Sequence, residues 1–181
     1  MKPRALMVAP LFVALMLPVG VSAHSGNWKW DANDAGGPFD LHWTAYSDGH
    51  GNNNWSGRRR VWLCVRTYNP WQTWQLEGSK FEAIWFDLDT RGNKYPEYSV
   101  VFNRGKRGSL IGKLYNDSGK YKGKTNGYRF GNKKGGCAYF KEYRIKPIRQ
   151  KVRYKAFGYY QSQRVCSRGC FDGTKTYSHQ Y

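Results

Sequence analysis

Asp87, Asp89, Asn93 and Glu97 stand close together in FEAIWFDLDTRGNKYPEYSVVF (residues 81–102), and all four carry oxygen side chains. Calcium takes six to eight such oxygens, commonly from carboxylates and carbonyls on one tight turn. Asp87 and Asp89 are two apart, which puts them on one side of an extended segment. Arg91 and Lys94 lie in the same turn and offer another use for the acids. Calcium and a salt-bridged turn are both open readings, and the two cations favour the second. No other cofactor is expected.

Other reactive groups point less clearly. His24 would become the N-terminal residue if the leader described below is removed, and an α-amine beside an imidazole can hold copper together with a second histidine. His42, His50 and His179 are the candidates. A hydrolase would need a nucleophile and a base, but the chain has neither a Gly-x-Ser-x-Gly elbow nor a His-Glu-x-x-His helix. Cys64, Cys137, Cys166 and Cys170 fit disulfides better than zinc, with Cys64–Cys137 and Cys166–Cys170 the favoured pairs.

Aromatic and basic side chains support binding more readily than catalysis. Trp62 and Trp85 alternate with apolar neighbours that belong to a core, so they either stand on outer sheet faces or pack inside strands that are buried on both faces. Trp71 and Trp74, in NPWQTW, would extend such a surface. Flat rings suit stacking on sugars. In KVRYKAFGYY (residues 151–160), Arg153, Lys155, Phe157 and Tyr159 share one side of a strand. Cations interleaved with rings also suit single-stranded nucleic acid, but outside a cell an anionic polymer of the cell wall is the better-matched partner.

These groups need elements to hold them, and the chain supplies strands. Val61, Leu63 and Val65 alternate with Trp62, Cys64 and Arg66; Ile84, Phe86 and Leu88 alternate with Trp85, Asp87 and Asp89. Similar runs are expected near residues 39–46, 98–102, 110–115, 128–130, 138–145 and 151–160. Residues 47–57 and 116–127 read as polar turns. No window holds a helical period. Short strands between Gly, Asn and Pro clusters predict an all-β chain, an antiparallel β-sandwich or jelly roll with long polar loops.

The first 23 residues resemble a cleaved secretory leader: Lys2 and Arg4, an apolar run, then Val21-Ser22-Ala23. Residues 24–181 then form one domain, secreted and without a transmembrane segment. Its charge is lopsided. From His24 to Glu97 eight Lys/Arg meet nine Asp/Glu, whereas from Tyr98 to Tyr181 twenty meet three. That imbalance favours an anionic partner.

Three pieces resemble a group of small secreted actinobacterial β-sandwich proteins. They are Asp31-x-Asn33-Asp34-x-x-Gly37-Pro38-Phe39-Asp40, Val65-Arg66-Thr67-Tyr68-Asn69-Pro70-Trp71, and Phe86-Asp87-Leu88-Asp89-Thr90-Arg91-Gly92 running into Glu97-Tyr98, with Cys166-x-x-x-Cys170 later. The acidic turn also resembles that of DOMON-type carbohydrate-binding modules. The resemblance implies a sandwich that binds a ligand without catalysis. A secreted binding module for a carbohydrate or anionic cell-surface polymer is therefore the leading expectation. An extracellular enzyme, through copper at His24 or a hydrolytic site, and a basic membrane-active protein are its rivals.

Overall fold

A computed structural model describes residues 28–48, 60–76, 82–145, 151–161 and 170–180. The leader, His24 and His50 lie outside them. The described residues form β1 (Lys29–Trp30), β2 (Leu41–Ser47), β3 (Arg60–Thr67), β4 (Ala83–Asp89), β5 (Tyr98–Arg104) and β6 (Leu110–Asn116). They continue as β7 (Tyr121–Arg129), β8 (Gly135–Lys141), β9 (Lys151–Tyr160), β10 (Cys170–Gly173) and β11 (Tyr177–Gln180). Every pairing is antiparallel. The fold is all-β, as the alternation predicts. No helix among the described residues is long and apolar enough to cross a membrane.

The spatial order is β1-β2-β3-β8-β7-β6-β5-β4-β9-β10, with β11 also on β9. β4 to β8 run as a meander, β3 joins one end of it and β9 the other. The two layers are thus one sheet folded over at β7. Its first half pairs with β6 as far as Thr125, and its second half pairs with β8 from Asn126 onward. Gly127 sits in this second half. A Cβ there would collide with the Leu110 carbonyl, so only glycine lets the layers converge at the fold line.

β7 departs from the sequence expectation. NDSGKYKGKTNG reads as a turn, yet Tyr121–Arg129 is a nine-residue strand. Lys122, Lys124 and Asn126 point to solvent while Thr125 is buried. Neighbours on both sides supply backbone partners, and these override the poor strand propensity of Gly and Asn.

The core lies between the layers. Val61, Leu63 and Val65 of β3 face Ile84, Phe86 and Leu88 of β4, with Val100, Phe102, Leu114, Val152 and Ala156 completing the interior. Tyr46 of β2 stacks on Tyr154 of β9, ring centroids 5.6 Å apart. The expected Cys64–Cys137 disulfide joins β3 to β8, bridging residues directly opposed in the register. Cys170 is disulfide-bonded too; Cys166 falls outside the described residues.

Candidate functional site

Strand register assembles an aromatic and cationic surface on the outside of the first layer. Residues opposed across a ladder present side chains to the same face. Trp30, Trp43 and Arg66 make one row, Cys64, Cys137 and Tyr128 the next, Trp62, Tyr139 and Asn126 a third, and Arg60 and Lys141 a fourth. Trp62 stacks on Tyr139 with centroids 4.2 Å apart and planes 23° from parallel.

The cations are threaded between the rings. Arg60 lies over Tyr139 at 5.8 Å. Arg66 lies over Trp28 at 5.1 Å and over Phe130 at 5.6 Å. Guanidinium on an aromatic face is held by the ring quadrupole and keeps its charge available to an anion. Trp30 and Tyr128 remain more than half exposed. Among the described residues, these rows carry no acid.

A second surface lies on the outside of the other layer. Trp85 stacks on Phe157 at 4.9 Å, and Lys155 covers the Phe157 ring at 4.7 Å. Tyr159 and Arg153 lie on the same side of β9, opposed to Ala83 and Asp89. Asp87 also faces outward between Ser99, whose hydroxyl donates to it at 2.6 Å, and Lys155. Burial raises the Asp87 pKa above its usual range, and the hydroxyl and the ammonium pull it partly back.

The structure therefore divides the expected binding residues. Trp85, Arg153, Lys155 and Tyr159 come together, whereas Trp62 belongs to the opposite outer face. Trp71 joins neither. It is 1% exposed and packs edge-on to Phe39, with the Arg129 guanidinium 4.9 Å from its ring. The expectation that it extends a surface is corrected: the turn after β3 folds the indole back under the sheet. Trp74, three residues on, is exposed.

Asp89 and Glu97 serve the β4–β5 turn. The amides of Arg91, Gly92 and Lys94 donate to the Asp89 carboxylate at 3.1, 2.5 and 3.0 Å. Glu97 Oε2 accepts from the Thr90 amide at 2.8 Å, and Asn93 Oδ1 accepts from the Tyr95 amide at 2.9 Å. The turn is held by carboxylate-to-amide bonds, with the Arg91 and Lys94 side chains exposed, so the expected salt-bridged turn is replaced by a capped one. His42 stacks on Tyr68 at 4.2 Å, and His179 contacts Asp48 at 3.1 Å.

Carboxylates converge elsewhere. Oxygens of Asp34, Asp40 and Asp172 lie within 4.8 Å of one another, and Asp31 adjoins them. Asp31 follows β1, Asp40 precedes β2, and Asp172 belongs to β10. The Gly36 amide donates to Asp40 Oδ2 at 2.8 Å, and the Leu41 amide to Asp172 Oδ2 at 2.5 Å. Burial, then the charges of Asp31 and Asp40, push the Asp172 carboxyl up to about 7. Burial likewise raises Asp31 and Asp40, each with a further push from Asp34. The DANDAGGPFD segment signals turn chemistry; its partner Asp172, far along the chain, gives no local signal.

No family model, curated protein or solved structure matches this chain. The functional reading accordingly rests on the surfaces themselves.

Proposed function

We propose that the protein is a secreted, non-catalytic binding module that attaches to an anionic polysaccharide or similar polymer of a cell surface. The observation that carries this reading is the outer face of the first layer, where stacked rings alternate with cations. Trp62 and Tyr139 offer flat apolar area to sugar faces, and Arg60, Arg66 and Lys141 offer charge to carboxylate or phosphate groups. The disulfide across β3 and β8 suits an oxidising compartment. It also stiffens the two strands that present the rings. Preorganised rings lose little freedom on binding, which favours affinity.

Sedimentation with insoluble anionic and neutral glycans, at low and high salt, tests the proposal. Retention on the anionic glycan that weakens with salt and is lost in Trp62→Ala supports it. Absence of retention on either glycan at low salt overturns it.

A further inference from the structure

Asp31, Asp34, Asp40 and Asp172 are four of the twelve acids in a chain with thirty Lys and Arg, yet Asp34, Asp40 and Asp172 cluster at one place and Asp31 is near enough to act on Asp40 and Asp172. Among the described residues no Lys or Arg ion-pairs with any of them, although Lys175 is near enough to act on Asp31. Asp40 is wholly buried, and its Oδ1 has no hydrogen-bond partner. A buried Oδ2 of Asp31 is unpaired as well. Buried anionic oxygens without donors are costly, and bringing like charges together adds to that cost. Such an arrangement is stabilised by a cation.

The dimensions suit calcium. Oxygens bound at 2.3–2.6 Å lie up to about 5 Å apart across one ion, which accommodates carboxylate oxygens within 4.8 Å of one another. Gly36 and Gly37, at φ 69° and 76°, turn the backbone so that Asp34 and Asp40 return to the same spot. The position is also structural. β1–β2 and β10 stand at the two ends of the curled sheet, and no ladder joins them. From the geometry we infer that Asp31, Asp34, Asp40 and Asp172 form a calcium site that clasps the two ends of the sheet together. This inference is independent of the glycan-binding reading.

Titration of the chelator-stripped full chain with CaCl₂ tests it, by calorimetry and by terbium luminescence sensitised through nearby aromatic rings. One equivalent of Ca²⁺ should bind, displace terbium, and raise the melting temperature by several degrees. Asp40→Asn and Asp172→Asn should each weaken binding at least tenfold. Asp34 is exposed, so Asp34→Asn keeps the fold and should weaken binding even if the buried variants fail to fold. The absence of saturable calcium binding by the stripped wild type, or unchanged affinity in Asp34→Asn, overturns the inference.

Discussion

The rings of Trp62 and Tyr139 stack at 4.2 Å on adjacent strands, two register positions from the Cys64–Cys137 disulfide. Stacking against a neighbour in the same sheet fixes each ring while leaving its outer area toward solvent. Trp62→Ala should therefore lower affinity for an anionic glycan about tenfold, the equivalent of about 1.4 kcal/mol, with little change in unfolding midpoint. Exchange of Arg60 and Lys141 for Gln should instead flatten the salt dependence of retention. Equal salt slopes for wild type and the Gln variant would show that these cations do not meet the ligand.

Trp71 should behave in the opposite way. Its indole fills the core beneath Phe39 and supports the Arg129 guanidinium. Trp71→Ala should cost about 3–5 kcal/mol in urea unfolding. A near-neutral result would mean that the ring is not core.

The disulfide closes a sequence separation of 73 residues. Replacing Cys64 and Cys137 by Ala should destabilise the fold by about 4 kcal/mol on the chain-entropy model. Unfolding curves of the double variant against wild type, both without reductant, give the value.

Asp89 and Glu97 hold the β4–β5 turn through backbone amides. Removing either carboxylate leaves donors unpaired, so Asp89→Ala and Glu97→Ala should each cost about 1–3 kcal/mol. The losses should be the same with and without calcium. A calcium-dependent difference would return the turn to metal chemistry.

Asp172 gives the metal-free protein a pH signature. Its carboxyl titrates at about 7 in the fold, above the ordinary 3.8. A raised carboxylate pKa means that the folded state holds the proton more tightly than the unfolded chain does. Its contribution to stability is therefore full below about 4 and is lost as pH rises through about 7. In chelator the melting temperature should be higher at pH 5 than at pH 8, and Asp172→Asn should flatten this difference. A slope unchanged by the substitution would assign it to other groups.

Much of the fold is legible in the residues. Period-two alternation places Val61, Leu63, Val65, Ile84, Phe86 and Leu88 inward and Trp62 and Trp85 on the other side of their strands, because side chains on a strand must alternate between faces; the structure leaves both indoles partly exposed. The strand Lys151–Tyr160 follows from local pattern in the same way, whereas four cysteines allow three pairings and the structure joins the favoured Cys64–Cys137. β7 was hidden because its stability comes from neighbours on both sides, which a polar, glycine-containing string does not advertise.

The candidate sites divide along the same line. Residue types and their alternation set which side chains are apolar, aromatic or charged, and on which side of their own strand they stand. Which of those sides meet depends on how the strands pair and fold over. Register across three strands, β3, β8 and β7, set Trp62 opposite Tyr139 and brought Tyr128 into the adjoining row, while the fold at β7 put Trp85 on the opposite layer. Closure of the sheet's ends brought Asp172 to Asp40, although 131 residues separate Asp172 from Leu41, whose amide it accepts. Alternation is a property of a single chain segment. Convergence depends on how distant segments pair, and no local pattern carries that information.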